Sequence, residues 1–229
     1  MKLTQPQIQQ LYTFTKKHYV EWYDVQTELV DHLANGIESH LANNPNTTFE
    51  SALQSEFKKF GVIGFGDIIE EKTKALNKRY HHLLWVYFKG FFRLPKIIIT
   101  LFLIYGYFQL LIVLPNRLWV LVPSTAVLFA IPVLAMYKQF QRIKQIQKET
   151  NKKWLFDTIV FQLGGLIHFI QIVIQVAFFN INKSWSTAFS FVFSVGFVLF
   201  ALAFFIAIYI VSPKLRKDMA KQHPDYKFA

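Results

Sequence analysis

The chain has 229 residues, a formal net charge of +11, an apolar fraction of 53% with 25 Phe, and no Cys. The lack of cysteine excludes disulfides, thiolate metal sites, iron–sulfur clusters and cysteine nucleophiles. The basic residues lie beside long apolar runs, where anionic lipid headgroups explain them better than nucleic acid does. We therefore expect a membrane protein that does not bind nucleic acid.

Residues 1–79 predict a small cytoplasmic domain of four helices. The first 80 residues carry nine basic and ten acidic residues and lack a signal peptide, so we expect the N-terminus to stay in the cytoplasm. Thr4 is placed to cap the first helix, and the second helix begins near Asp24. The second helix carries an apolar residue at every fourth position, a pattern typical of a bundle core. These residues are Val25, Leu29, Leu33, Ile37 and Leu41.

The third and fourth helices are predicted from their boundary residues. The sequence Asn43-Asn44-Pro45-Asn46 ends the second helix. Thr47 and Glu50 have the spacing of a capping box for the third helix, and Gly61 is placed to end it. After a glycine-rich turn, Asp67 can cap a fourth helix, which continues toward the membrane.

Three short motifs in this region resemble a known family. The run VQTELVDHL at 25–33, the run FESAL at 49–53 and the run KFG at 59–61 resemble the HTH-associated α-helical signalling domain (HAAS), also described as a permease-prefix domain. The resemblance covers about residues 20–77, a third of the chain. It implies a cytoplasmic helical domain that precedes transmembrane helices and signals, often beside PadR-type transcriptional regulators. The GVIGF stretch before Asp67 departs from the family pattern.

Glu28, Asp31 and His32 form the tight polar cluster of this motif. Glu28 and His32 are four residues apart and share a helix face. The cluster is a candidate for contact with a protein partner. The alternative is that it only stabilises the bundle, with Lys58 or Lys59 as partners. Metal binding is the least favoured interpretation, because no second histidine has the spacing of a zinc motif.

Four segments have the length and composition of transmembrane helices. A hydrocarbon core of about 30 Å requires roughly 20 apolar residues of helix. The segments are residues 97–114, 118–137, 154–179 and 187–211, within a membrane domain of residues 96–212. Residues 80–95, rich in aromatic and basic side chains, predict an interfacial helix that leads into the first span; the alternative is that they extend that span.

The basic residues predict the orientation of these spans. Of the sixteen Lys and Arg residues in 81–229, fourteen lie before the first span, between the second and third spans, or in the tail 213–229. The other two connections contain Arg117 and Lys183. The positive-inside rule therefore places both termini in the cytoplasm, which predicts a multi-pass protein of the bacterial inner membrane.

Polar residues recur along the third span at the spacing of a helix-packing face. This predicted polar seam consists of Asp157, Phe161, Gly164, His168, Gln171 and Gln175. The fourth span carries a stripe of Ser186, Ser190 and Ser194 that could pack against it. The simpler interpretation is packing, with serine hydroxyls satisfying His168 or the glutamines. The more specific interpretation of the polar seam is a mid-membrane site around His168 that binds a ligand or relays protons.

The sequence does not predict an enzyme, a cofactor or a metal site. It has no nucleophile with a matching base, no paired carboxylates, and no phosphate loop beside a strand. The first hypothesis is a non-enzymatic membrane-anchored signalling or regulatory protein that acts through its cytoplasmic domain. The alternatives are an accessory or scaffold subunit of a larger membrane complex, and a small transporter that uses the polar seam.

Overall fold

The computed structural model of the chain describes residues 2–61, 63–179, 185–223 and 226. These residues are helical apart from the connecting segments and an isolated bridge between Trp22 and Lys153. The all-α class is therefore confirmed for the described part of the chain. The chain divides into two compact units, which are residues 1–77 with 146–158, and residues 78–145 with 159–229.

The first unit is an amphipathic helical domain. Its helices are α1 (Gln5–Lys17), α2 (Tyr23–Asn43), α3 (Phe49–Lys58) and the start of α4 (Gly66–Gly90). The apolar stripe predicted for α2 is confirmed as the core, since Leu29 and Leu33 are 1% exposed and Ile37 is fully buried. Residues Leu11, Ala52 and Phe65 from the neighbouring segments join the same core.

The helix ends of this unit partly follow the sequence prediction. Thr4 precedes α1, and its backbone N–H donates to Gln7 Oε1 at 2.8 Å, as in a capping box. The prediction that Thr47 caps α3 is wrong by one residue, because Thr48 Oγ1 accepts the hydrogen bond from the Ser51 N–H. Helix α4 likewise begins at Gly66, so that Asp67 lies in its first turn.

Helix α4 includes most of the predicted interfacial helix. It runs without interruption through residues 66–90, so residues 80–90 continue the last helix of the first unit and do not form a separate helix. Residues 91–95 then form a turn before the next helix. The alternative that residues 80–95 extend the first span is therefore wrong.

The second unit contains the long apolar helices. They are α5 (Lys96–Val113), α6 (Leu118–Thr150), and α9 (Thr187–Ile206), which continues through a π-helical turn (Ala207–Val211) into α10 (Ser212–Gln222). Within the described residues, three helices are long and apolar enough to cross a membrane: α5, α6, and the continuous helix Thr187–Gln222. Helices α6 and α10 extend well beyond the predicted spans, so most of the predicted loop 138–153 and the start of the predicted tail are helical. Lys183 and Lys227 lie outside the described residues.

The predicted third span, residues 154–179, is not one continuous α-helix. It consists of α7 (Leu155–Phe161), a 3-10 segment (Leu163–Phe169) and α8 (Ile170–Phe179). Leu163 and Gly165 have φ angles of 51° and 85°. A glycine adopts such a left-handed conformation at little cost, and two adjacent glycines weaken an α-helix at this point. The apolar content of the segment was correctly identified, but its helical continuity was not.

Candidate functional site

The first unit contains a polar contact that joins two distant segments of the sequence. The carboxylate of Asp24, at the start of α2, accepts hydrogen bonds from the backbone N–H groups of Leu155 at 3.0 Å and Phe156 at 3.4 Å. These N–H groups begin α7 and have no partner within their own helix. Asp24 therefore caps a helix that lies more than 130 residues later in the chain.

A backbone contact and an ion pair reinforce this cap. The N–H of Tyr23 donates to the carbonyl of Lys153 at 2.7 Å. The Nζ of Lys153 lies 2.6 Å from Oε2 of Glu21. Both side chains of the ion pair are more than half exposed, so we expect it to contribute less than the partly buried hydrogen bonds of Asp24 do.

Aromatic side chains cover the same contact. The Nζ of Lys152 lies 3.8 Å from the centroid of the Tyr23 ring, in the geometry of a cation–π interaction. The Tyr23 ring packs edge-on against Trp154, with centroids 5.3 Å apart. Trp154 and Leu155 are each 3% exposed, and Leu155 belongs to the core that α2 builds. We refer to residues 152–156 as the docked segment.

The environment of Asp24 gives its carboxyl group an unusual electrostatic balance. Burial raises the pKa of Asp24, and hydrogen bonds from the backbone N–H groups of Leu155 and Phe156 lower it in part. Glu21 shows the opposite effect, because the hydrogen bond and charge of Lys153 lower its pKa. The site thus contains one carboxyl group that is costly to ionise and one that is stabilised as an anion.

The docked segment follows the end of α6 at Thr150 and includes the start of α7 at Leu155. These helix ends, residues 146–158, belong to the first unit, whereas the rest of α6 belongs to the second unit. Among the described residues, this contact brings together no nucleophile and base.

The predicted partner-contact residues lie on an exposed face of α2. Glu28, Asp31 and His32 are all exposed. Glu28 forms an ion pair with Lys72 at 2.7 Å, whereas the predicted partner Lys59 pairs with Glu56. His32 lies edge-on to Phe60, with ring centroids 5.8 Å apart. The three side chains are therefore accessible on one helix face of the first unit.

The structure does not bring the predicted polar seam together. Asp157 is buried in α7, whereas His168, Gln171 and Gln175 are exposed. The prediction of one continuous helix face is wrong, because the 3-10 segment that contains Gly164 and His168 interrupts the α-helical periodicity.

Two of the three serines in the predicted stripe are buried, whereas Ser186 is exposed. Ser190 and Ser194 are at most 3% exposed, and Ser194 Oγ donates to the carbonyl of Ser190 at 2.7 Å. Ser186 accepts a hydrogen bond from the Phe189 N–H and caps α9. The described hydrogen bonds of the Ser186 and Ser194 hydroxyls are therefore made to the backbone of α9.

Sequence reasoning missed the contact between Asp24 and the docked segment. One signal was present, because two segments that contain aromatic residues carry opposite charges. The acidic one is Glu21-Trp22-Tyr23-Asp24, and the basic one is Lys152-Lys153-Trp154. Comparison of the chain with protein-family models, curated proteins and solved structures found no match. The functional argument therefore depends on the geometry of the chain itself.

Proposed function

We propose that the chain is a non-enzymatic, membrane-anchored regulatory protein whose N-terminal helical domain acts through protein contacts. The observation that carries this proposal is the capping of α7 by Asp24. The contact makes the docked segment part of the N-terminal domain. A change in the helices that the docked segment connects is then transmitted to α2 and its exposed face.

Several separate polar interactions stabilise the contact between α2 and the docked segment. Two hydrogen bonds to a charged acceptor, one backbone bond and one exposed ion pair hold the docked segment, in addition to the burial of Leu155 in the core. Hydrogen bonds to charged groups are worth about 1.5–3 kcal/mol each, so the Asp24 carboxylate contributes a large part of the polar stabilisation of this contact.

A change at the contact between Asp24 and the docked segment would reach a partner protein through the exposed face of α2. Glu28, Asp31 and His32 lie within nine residues of Asp24 on the same helix, so a shift of the α2 N-terminus moves all three. This face is also the position of the HAAS-like motif, and we propose that it binds a cytoplasmic or membrane protein partner.

The proposed topology has four spans with both termini in the cytoplasm. Helices α5, α6 and α9 supply three spans, and α7, the 3-10 segment and α8 together supply the fourth. The charge distribution supports this orientation, because fourteen of the sixteen basic residues after residue 80 fall on one side of it. The proposed location is the bacterial inner membrane.

Site-specific photo-crosslinking on the full chain in native membranes tests whether the exposed face of α2 binds a partner protein. A photoreactive amino acid at Asp31 is expected to give a covalent adduct with one partner protein. The same group at Gln54, which is exposed on the neighbouring helix α3, serves as the control. Equal adducts at both positions, or none at Asp31, would contradict the proposal.

Coupling is tested by adding Asp24→Ala to the Asp31 crosslinking variant. Release of the docked segment is expected to change the yield of the Asp31 adduct, while Glu50→Gln on α3 leaves it unchanged. An Asp31 adduct that forms with a large complex and is insensitive to Asp24→Ala would instead favour the accessory-subunit alternative.

A further inference from the structure

An apolar groove lies between α5 and α9 in the second unit. Its volume is about 630 Å³, within the range of roughly 300–1,000 Å³ typical of ligand sites. The walls include Leu103, Gly106 and Leu110 from α5, and Phe197 and Phe205 from α9. Leu103 and Leu110 are about half exposed, so the groove opens outward from the helices.

The length of the groove matches one leaflet of a bilayer. Along α5 its lining runs from Thr100 to Leu110, which at 1.5 Å per residue is about 15 Å. Half of a hydrocarbon core of about 30 Å has the same depth. A transmembrane helix of a second copy would instead run the full thickness of the core, beyond both ends of the groove.

A basic residue, Lys96, lies at one end of the groove. Phe91 lines this end, and the Nζ of Lys96 lies 4.8 Å from the centroid of its ring. Lys96 is also one helical turn before Thr100, another lining residue. Lys89 and Arg93 lie nearby in the sequence, and the chain contains no acidic residue between Glu71 and Glu149.

We propose that this groove is a binding site for an anionic phospholipid, with one acyl chain along α5 and α9 and the phosphate at Lys96. The apolar walls accept the acyl chain, and the groove ends where the leaflet ends. The basic end supplies the charge complementarity that a zwitterionic lipid lacks. This inference does not depend on the proposed function, because it involves only residues of the groove and its basic end.

Native mass spectrometry of the full chain tests the site. The chain is extracted in mild detergent and offered equal amounts of phosphatidylglycerol and phosphatidylcholine with identical acyl chains. We expect the wild-type chain to retain phosphatidylglycerol preferentially. Equal retention of the two lipids would overturn the proposal.

Two glycine variants test the acyl-chain part of the site. A Cβ added at either Gly106 or Gly196 would meet no heavy atom within 4 Å, so both positions have open space. Only Gly106 lines the groove; Gly196 lies on another surface of α9. Gly106→Leu is therefore expected to reduce lipid retention while Gly196→Leu leaves it unchanged. An equal loss in both variants would contradict the site.

The headgroup is tested independently by substitutions at exposed lysines, which should not affect folding. Lys96→Gln is expected to reduce the preference for phosphatidylglycerol about fivefold, as removal of one basic residue at a membrane surface predicts. Lys144→Gln, which removes the same charge from α6, is expected to keep the preference. A preference unchanged by Lys96→Gln, or a dimer that dissociates in Gly106→Leu, would assign the groove to another occupant and overturn the proposal.

Discussion

The two units of the chain use apolar residues in opposite ways. In the first unit Leu29, Leu33 and Ile37 are almost completely buried. In the second unit Phe102 and Trp119 are 72% and 76% exposed, although each lies in a helix of high mean hydropathy. The same physical rule explains both patterns if water surrounds the first unit and lipid surrounds the second, because an apolar side chain is stable wherever water is excluded.

The comparison also shows where polar groups are useful. In the first unit Asp24 binds the docked segment, which is distant in sequence. In the second unit Ser194 bonds within its own helix, whereas the hydroxyl of Tyr107 in α5 lies 2.9 Å from that of Ser124 in α6. Arg79 also pairs with Asp218 at 3.0 Å. Polar side chains thus make contacts between distant segments in both units.

The largest expected effect comes from the core of the first unit. Ile37→Ala should lower the free energy of unfolding of the N-terminal domain by about 2–5 kcal/mol, because it leaves a cavity in a closely packed core. Leu103→Ala removes a similar side chain from the outward surface of α5 and should change the thermal unfolding of this domain little. Circular dichroism melting of the two variants distinguishes them. Equal destabilisation would contradict the difference between the buried apolar residues of the first unit and the exposed ones of the second.

The second expected effect concerns the solvent of α5. Leu103→Arg places a charge near the middle of an 18-residue apolar helix. Its insertion into the membrane should become less favourable by about 3 kcal/mol, the cost of arginine at the centre of a transmembrane helix. A glycosylation-based insertion assay measures this shift. Insertion that is unaffected by the arginine would show that α5 does not lie in lipid.

The two units also differed in how far the sequence predicted them. The i, i+4 stripe of α2 and the break between residues 114 and 118 were predicted because both are local patterns. The break within 154–179 was missed, because apolar composition gives the length of a segment but not its helical continuity. The contact of Asp24 with Leu155 was missed because opposite charges and shared aromatic residues do not by themselves pair two segments so far apart in the sequence.

A moderate effect is expected at this missed contact. Asp24→Ala leaves the backbone N–H groups of Leu155 and Phe156 without their acceptor and should destabilise the docked segment by about 1–3 kcal/mol. Asp24→Asn keeps one oxygen acceptor and should cost less. Hydrogen exchange of the peptide containing residues 152–158 measures both. Unchanged exchange in Asp24→Ala would contradict the role of Asp24 as a cap.

The smallest expected effect is a pH dependence with two opposing contributions. Burial raises the pKa of Asp24 above its unfolded value, so its contribution to stability becomes less favourable as the pH rises through the interval between the two values. Lys153 lowers the pKa of Glu21, so the stabilisation from that carboxylate is present above its unfolded pKa and is lost as the pH falls through the lower folded value.

Thermal unfolding at acidic and neutral pH separates these contributions. Relative to Asp24→Asn, the wild-type chain should lose stability as the pH rises. Relative to Glu21→Gln, it should lose stability as the pH falls. A wild-type curve parallel to that of Asp24→Asn would show that the Asp24 carboxyl titrates as it does in the unfolded chain.

Substituted-cysteine labelling in intact and permeabilised cells tests most directly whether the first unit lies in water on the inner side of the membrane. Because the chain has no native cysteine, each variant carries a single reporter. Asp31→Cys and Lys148→Cys should react with an impermeant maleimide only after permeabilisation, whereas Asn116→Cys should react in intact cells. Labelling of Asp31→Cys and Lys148→Cys from opposite sides would contradict the account, since both positions belong to the first unit.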